Sequence, residues 1–575
     1  MLFRQKQPRI AQPSGMAGAV SAAPATFDPG LLLFAVVEGV SGILRRADMR
    51  KFYYYVHLPI LIIVVISMIF YFNFTAEDAY ITYRYAENLV NIGSLVFNEG
   101  EPINAMTSPF HAVLSAALFY TTGHTVLSNK IIALVLLLFS ALLVWYRFRT
   151  HPQWQLLALV LLLMPPSVLL WTFGGLETPI LLFLATVTVL SVDRMPPFSL
   201  NWLCVVFLLA GLAFLTRYDS ILFFLPVMVY AASKARSVRH VVIALIGAAI
   251  LPIFWFAVSI LYYGDLLPTS FYVKTPDGNL GTLVYNGIYV AAYLLYVGII
   301  PGLVLALVLL WSKHRTLPLF GGHFKSMWWL YLGLGLELLY GLTIATHHMM
   351  FSFRFFVPYL PSAVIIVVDL VRRASETSAV DLSSRRTASL LTGFLLCLTL
   401  FQLYQNAYTY DHSVNGISSI GEYRSLGIRD YLSFMQILKQ EAFDIEKHWD
   451  KIKGDQNRRP RIITYAAGML PYTFRDSYIY EKLVSYRHCH QRHNQGLFAD
   501  YVHILAPRLG PVDQQLPKPE DNYSLISSYE MFFDGSQQKF LVYYNPEPED
   551  HNLSARIDEP CQGGEQGRKH VGYSL

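Results

Sequence analysis

Two adjacent carboxylates, Glu77 and Asp78, stand directly after the first strongly apolar run of the chain, in the sequence EDAYITYR at residues 77–84. A carboxylate that is shielded from water can act as a general base toward a hydroxyl group, or can bind a metal ion. The alternative is a carboxylate pair at a helix end, solvated or paired with Arg84. Because adjacent side chains point in different directions, we expect only one of the two to meet a substrate.

Arg217 interrupts two apolar runs in the sequence LTRYD, with Asp219 close behind it. One interpretation is an internal ion pair that lets both charges sit near a membrane. The other is a phosphate clamp, because the planar guanidinium group matches phosphate oxygens well. The sequence leaves both open.

Further cationic candidates are His347, His348 and Arg354, which bracket the sequence MMFSF, and Lys274. Histidine and arginine together could hold a lipid-linked phosphate or protonate a leaving group. A histidine pair at a membrane boundary can equally be interfacial only.

These candidates amount to an acid-rich patch beside a cationic patch, to which Glu177 adds another carboxylate. Such a site suits transfer of a sugar from an anionic lipid carrier, because a carboxylate takes the acceptor proton while cations stabilise the phosphate left behind. No glycine-rich nucleotide loop is visible, which fits a donor delivered by lipid. The spacing of acids and histidines predicts no metal site and no cofactor.

The composition predicts that membrane-spanning helices position these residues. Of the 575 residues, 54% are hydrophobic and only 14% are charged, as is typical of a polytopic membrane protein. The net charge of +5 does not indicate nucleic-acid binding, because the basic residues lie in short clusters beside apolar runs.

We count about eleven apolar runs between residues 51 and 405 that are long enough to cross a bilayer. If the ambiguous segment 108–120 lies along the membrane surface, the basic clusters after each second run all face the cytoplasm. The amino-terminal segment, residues 1–50, is then cytoplasmic. Short segments at 75–107, 171–177, 263–283 and 347–353 then meet on the outer face with the candidate residues.

The region at 406–575 is more polar and predicts an extracytoplasmic α/β domain. Strand-like runs occur at 461–465, 501–506 and 539–544, and residues 428–443 favour a helix. If this region faces an oxidising compartment, Cys489 and Cys561 could form a disulfide. The sequence leaves that pairing open.

Several short motifs stand out between residues 55 and 370. They are EDAYITYRYA at 77–86, SLVFNEGE at 94–101, GGLET at 174–178, LTR at 215–217, YYGDLLP at 262–268 and RFFVP at 354–358. These motifs resemble those of the GT-C glycosyltransferases, in the branch of the mycobacterial terminal arabinofuranosyltransferases and the type IV pilin arabinofuranosyltransferase.

This resemblance implies a polytopic α-helical GT-C-like fold with surface-lying helices and an inverting enzyme that uses a polyprenyl-phosphate sugar. It implies that an acidic residue of the first outer loop is the base. We assign that role to Asp78, with Glu77 secondary because it replaces the aspartate common at that position. Substrate-binding roles are expected for Arg84, Glu177, Arg217, Lys274, His347, His348 and Arg354.

The expected function is transfer of D-arabinofuranose to a hydroxyl acceptor, on pilin or an envelope glycan, outside a bacterial plasma membrane. The alternatives are transfer of another lipid-linked sugar such as mannose, or a transporter or flippase of polyprenyl-linked substrates. Transporters tend to show internal repeats and charges at the membrane midplane, which this sequence does not show.

Overall fold

The fold is that of a computed structural model, which describes residues 49–194, 199–273, 280–311, 316–343, 351–377, 385–411, 428–453, 459–464, 466–480, 500–507, 524–533 and 536–544. These residues belong to one compact unit. Lys274, His347 and His348, and the cysteines Cys489 and Cys561, lie outside the described residues.

Helices make up most of the described chain. They are α1 Met49–Tyr71, α2 Glu77–Ile92, α3 Pro109–Thr122, α4 Thr125–Arg147, α5 Pro152–Leu163, α6 Pro166–Phe173, α7 Thr178–Arg194, α8 Leu200–Thr216, α9 Ile221–Ser233, α10 Val238–Val258, α11 Thr269–Val273, α12 Leu280–Tyr296, α13 Ile299–Trp311, α14 Thr316–Thr343, α15 Leu360–Thr377, α16 Arg385–Asp411, α17 Ile428–Ile452 and α18 Met469–Thr473.

The chain is a multi-pass membrane protein. Four stretches of the described residues are long and apolar enough to cross a membrane alone, namely Tyr53–Tyr71, Thr125–Arg147, Val238–Tyr263 and Ser389–Thr409. Two bent pairs, α5 with α6 and α12 with α13, raise the number to six if each pair crosses once. Helices α7, α8 and α9 are apolar but shorter. The count of about eleven spans stays a prediction.

The bends in the two helix pairs have local causes. The first pair is bent by 57° where Pro165 and Pro166 remove backbone donors and crowd the preceding turn. The second is bent by 63° at Gly298, whose φ of +84° suits glycine. The long apolar runs of the sequence conceal both breaks.

Helix α3 is short and is bounded by residues that begin and end a helix. It begins with Pro109 at its first position and ends at Gly123, which has a φ of +70° and donates its N–H to the Phe119 carbonyl at 2.8 Å. Its 14 residues extend about 21 Å, which is less than the roughly 30 Å of a bilayer core. Helix α3 is therefore too short to cross alone, and its placement along the membrane surface stays a prediction.

Helix α4 separates two polar ends of the bundle. Near its start, Lys130 donates to the carbonyls of Phe72 and Phe74, which follow α1. At its far end, Arg147 pairs with Asp193 at 2.8 Å and with Asp369 at 3.2 Å. Arg372 also contacts Asp369, so Arg147 and Arg372 share one end of the bundle, as the sequence predicted. Which end is cytoplasmic stays a prediction.

The C-terminal strands form one sheet in the order β2-β1-β3-β5-β4. They are β1 Arg461–Ile463, β2 Tyr478–Tyr480, β3 Tyr501–Pro507, β4 Ser524–Phe533 and β5 Ser536–Tyr544. Strand β1 pairs in parallel with β2 and β3, whereas β5 pairs antiparallel with β3 and β4. The three strand-like runs of the sequence fall on β1, β3 and β5, and α17 confirms the predicted helix. That this region is an extracytoplasmic domain stays a prediction.

The edge strand β2 is paired with a side chain from the 75–107 segment. Asn98 donates its amide nitrogen to the Ile479 carbonyl at 2.9 Å, and its amide oxygen accepts the Ile479 N–H at 3.1 Å. The Tyr478 hydroxyl donates to Glu101 at 2.7 Å. The strand edge is thus satisfied by the segment that follows α2, and the sheet is fixed to it.

Candidate active site

Four short segments meet at one end of the bundle. They are the start of α2, the turn 174–177 between α6 and α7, the turn 217–220 between α8 and α9, and the segment 352–356 before α15. Ala76 donates its N–H to the Gly174 carbonyl at 2.9 Å, and the Trp171 indole donates to the Ser352 carbonyl at 3.0 Å. The Tyr83 hydroxyl donates to the Gly175 carbonyl at 2.9 Å.

Glu177 is a buried carboxylate shared by two arginines. Arg217 donates from Nη1 to its Oε1 at 3.0 Å, and Arg354 donates from Nη2 to the same oxygen at 2.9 Å and to Oε2 at 3.3 Å. The Glu177 side chain is 2% exposed. Burial would raise its pKa, but the Arg354 and Arg217 guanidiniums outweigh burial and hold the pKa of Glu177 at about 2. The carboxylate is therefore ionised throughout the physiological range.

Arg217 is engaged on all sides. Its Nε and Nη2 donate to the two carboxylate oxygens of Asp219 at 3.1 and 2.8 Å, and its guanidinium carbon lies 4.2 Å from the centre of the Phe355 ring. The internal ion pair that the sequence left open is thus present, and Glu177 joins it. This arrangement suits Arg217 to hold Glu177 in place, because its donors already have carboxylate partners.

Arg354 differs from Arg217 in having spare donor capacity. Its Nη1 lies 4.0 Å from Asp78 Oδ2, beyond hydrogen-bond distance, and its Nε is buried with no hydrogen-bond partner among the described residues. Its side chain is 9% exposed, with its guanidinium carbon 5.5 Å from the centre of the Trp171 ring. An incoming anionic group could therefore bind Arg354 without displacing Glu177.

The backbone before Arg354 is strained. Ser352 and Phe353 have φ angles of 48° and 61°, a left-handed region in which L residues are disfavoured. The Tyr289 hydroxyl accepts the Phe353 N–H at 2.5 Å, and the Trp171 indole holds the Ser352 carbonyl. The surrounding side chains hold this conformation, which directs Arg354 toward Glu177.

Asp78 is the accessible carboxylate of the site. It lies in the first turn of α2, where the helix dipole stabilises negative charge, and its side chain is 49% exposed. Arg354 faces it at 4.0 Å. A hydroxyl group arriving from solvent could reach Asp78 while an anion binds Arg354 beside it.

Glu77 points away from Asp78 and into the protein. Its Oε1 accepts the N–H groups of Gly468 and Met469, the latter at 3.2 Å. Its own N–H donates to the Tyr431 hydroxyl at 2.6 Å. The two adjacent carboxylates therefore have different surroundings, as expected from their adjacency.

Arg84, predicted to bind substrate, is buried and donates to backbone carbonyls of the chain itself. Its partners are Phe97 at 2.9 Å, Pro471 at 2.5 Å and Ser477 at 2.7 Å. We therefore propose a structural role for Arg84, which connects α2 to the segment 466–480 through hydrogen bonds.

Two further polar residues near this end were not predicted. His111, on α3, is 2% exposed, and its Nε2 lies 3.2 Å from Asn129 while its Nδ1 has no partner among the described residues. Burial lowers the pKa of His111. Glu87 is 3% exposed and accepts from the Tyr472 hydroxyl at 2.7 Å. His111 stands in the largely apolar sequence PFHAVL, so no local pattern marks it.

The part of the chain that the structure describes contains no group of three or more His, Cys, Asp or Glu side chains that could hold a metal ion. The cluster is instead one of mutually paired charges. Two guanidiniums, from Arg217 and Arg354, stand among the carboxylates of Asp78, Glu177 and Asp219.

Comparisons with known proteins bear on the fold. No protein-family model matches the sequence, and no curated protein sequence matches it either. The crystal structure of ArnT from Cupriavidus metallidurans in the apo state aligns with a TM-score of 0.50 at 12% identity, covering 85% of this chain and 98% of that one. The chain shares the fold of ArnT.

A crystal structure of the same ArnT bound to undecaprenyl phosphate aligns with a TM-score of 0.48 at 12% identity, covering 90% of this chain and 98% of that one. At this identity the likeness is one of fold. The alignment with the apo structure confirms the expected mostly helical fold and extends over nearly the full length of ArnT.

Proposed function

We propose that the chain is a GT-C-like glycosyltransferase that moves a sugar from a polyprenyl-phosphate donor to a hydroxyl acceptor at the membrane surface. The observation that carries this proposal is the pairing of an accessible carboxylate, Asp78, with a cation that has spare donors, Arg354, at 4.0 Å. The fold shared with ArnT and the resemblance of the motifs at residues 77–101 to GT-C enzymes support it.

In the proposed reaction, Asp78 is the general base. The acceptor oxygen attacks the anomeric carbon of the donor while the bond from that carbon to the phosphate oxygen breaks, with inversion of configuration. Asp78 takes the proton of the acceptor hydroxyl, and polyprenyl phosphate leaves.

Arg354 is proposed to contact the phosphate that leaves. Negative charge grows on that phosphate in the transition state, and a preorganised guanidinium stabilises it without reorganising solvent. Glu177 and Arg217 hold Arg354 in place through the contacts described above. Lys274, His347 and His348 remain proposed substrate contacts on the strength of the sequence resemblance.

We propose D-arabinofuranose as the sugar because the motifs match the arabinofuranosyltransferase branch most specifically. The acceptor is then pilin or a cell-envelope glycan outside a bacterial plasma membrane, with the amino terminus in the cytoplasm and residues 406–575 outside. ArnT has been crystallised with undecaprenyl phosphate, and we extend that class of lipid to this chain as the donor carrier.

The test uses purified protein reconstituted with polyprenyl-phosphate arabinofuranose, with polyprenyl-phosphate mannose as the competing donor. Release of polyprenyl phosphate that depends on an acceptor supports the proposal, and the preferred donor assigns the sugar. Movement of labelled donor across the vesicle bilayer without release of polyprenyl phosphate would instead identify a transporter.

Arg354→Ala should raise the donor KM on the order of 10- to 100-fold, because a charge-assisted hydrogen bond is lost. The matched control is Arg459→Ala, which removes an arginine that is 45% exposed and pairs with Glu99. An unchanged donor KM and kcat in Arg354→Ala would return Arg354 to a structural role.

A further inference from the structure

The helix that carries Asp78 has no capping side chain of its own. Its N-cap residue is Ala76, which offers no hydrogen-bond acceptor for the first N–H groups of α2. The C-terminal region supplies one instead, since the Tyr431 hydroxyl on α17 accepts the Glu77 N–H at 2.6 Å. The start of α2 is therefore completed by a residue from a distant part of the chain.

The Glu77 carboxylate makes a second connection to the same region. Its Oε1 accepts the N–H groups of Gly468 and Met469 at the start of α18. A β-carbon at position 468 would collide with the Glu77 carboxylate and carbonyl, so the close approach requires glycine there. A charged acceptor bound by two backbone donors is a stiff connection.

This connection determines where Asp78 points. Successive side chains on an α-helix are separated by about 100°. With Glu77 directed at residues 468–469, Asp78 is rotated onto the neighbouring face, where its side chain is 49% exposed and Arg354 lies 4.0 Å away.

The rest of α2 is fixed to the same segment. Arg84 donates to the Pro471 and Ser477 carbonyls, and Glu87 accepts from Tyr472 and pairs with Arg475 at 2.6 Å. The segment 466–480 thus contacts α2 at its start and along its length.

We propose that Glu77 is a positioning residue for Asp78, and that the segment 466–480 forms part of the catalytic centre. The measurements of activity that test this proposal rest on the proposed function. Glu77 does not take the acceptor proton. It fixes the first turn of α2 so that Asp78 faces the acceptor, and the C-terminal region is required for turnover even when donor binding is intact.

The experiment compares Glu77→Ala, Glu77→Gln and Asp78→Asn in the full-length protein. The N–H groups of Gly468 and Met469 both donate to Oε1 of Glu77. In Glu77→Gln the side-chain carbonyl oxygen can still accept both hydrogen bonds, so kcat should fall only about fivefold. Glu77→Ala breaks the connection, and kcat should fall about 100-fold with the donor KM unchanged. The control is Glu99→Gln, which removes a carboxylate that is 47% exposed and pairs with Arg459 across the same two regions.

Two results would overturn the proposal. If Glu77→Gln is as inactive as Asp78→Asn, Glu77 itself takes the proton. If Glu77→Ala retains the wild-type kcat, Glu77 positions nothing.

A readout without sugar transfer separates this proposal from the proposed function. Amide hydrogen exchange at residues 77–84 and 466–473 should rise at least tenfold in Glu77→Ala and stay near wild type in Glu99→Gln. Unchanged exchange in Glu77→Ala would refute the connection. If the wild-type protein transfers no sugar while exchange behaves as expected, the glycosyltransferase assignment fails and the connection stands.

Discussion

Replacing Glu177 with glutamine should destabilise the protein more than any exposed carboxylate-to-amide change. The substitution keeps the shape of the side chain but leaves Arg354, which is 9% exposed, facing Asp78 at 4.0 Å as its nearest carboxylate. Arg217 keeps Asp219 at 2.8 Å and is less affected. Removing one partner of a buried ion pair costs about 3–5 kcal/mol, and the remaining Asp219 contact favours the lower value, about 3 kcal/mol.

The assay is thermal unfolding in detergent, with Glu376→Gln as the matched control. Glu376 is 44% exposed and pairs with Arg372 at 3.0 Å at the other end of the bundle. An exposed pair contributes less than about 1 kcal/mol, so the control should unfold within about 1 °C of wild type. For a chain of 575 residues, the loss of about 3 kcal/mol in Glu177→Gln should lower the unfolding temperature by about 2.5 °C.

The stability that the Glu177 carboxylate contributes should decrease at low pH. Because the folded protein holds the pKa of Glu177 at about 2, below the usual glutamate value, the stabilisation is present in full above the unfolded-state pKa. It is lost as the pH falls from about 4.5 through about 2. The stability difference between wild type and Glu177→Gln should therefore be constant from about pH 6 to 8 and shrink below about pH 4.

Equal unfolding temperatures for Glu177→Gln and Glu376→Gln would refute this reasoning. So would a stability difference that widens as the pH falls below about 4, because the carboxylate would then be stabilising in its protonated form.

Three further substitutions test the same contacts. Arg84→Lys should lower the free energy of unfolding by about 2 kcal/mol, because lysine cannot reproduce the several hydrogen bonds that the guanidinium donates to backbone carbonyls. The donor KM should stay unchanged, and a raised KM would show that Arg84 contacts the donor. Ser352→Gly should raise the unfolding temperature by relieving a left-handed conformation worth about 1 kcal/mol, and a lower temperature would contradict the strain before Arg354. Gly175→Ala should lower the free energy of unfolding by more than about 1 kcal/mol, because Gly175 has a φ of +74° and an added β-carbon would collide with the Tyr83 hydroxyl. Wild-type stability in this variant would contradict the close contact.

The sequence predicts much of the fold because the relevant signals are local. Apolar runs predict the helices, and Pro109 and Gly123 mark the bounds of α3. Alternating strand-like runs predict β1, β3 and β5. Strand β2 has only three residues and is paired by the Asn98 side chain, so no periodic pattern reveals it.

The site was predicted in part for the same reason. Charged residues beside apolar runs stand out, and the structure brings Asp78, Glu177, Arg217 and Arg354 together. The different surroundings of Glu77 and Asp78 depend on Gly468, which lies 391 residues away from Glu77 in the chain. Such a contact has no local signature, and neither do the backbone carbonyls that occupy Arg84.

The most direct test of the central claim is the transfer rate of Asp78→Asn, measured with donor affinity on the same reconstituted protein. The substitution removes the proposed base and leaves Arg354 and Glu177 in place. We expect the rate of acceptor-dependent polyprenyl-phosphate release to fall by about 10²- to 10⁴-fold while the donor Kd changes less than about threefold. A wild-type transfer rate in Asp78→Asn would contradict the assignment of Asp78 as the base.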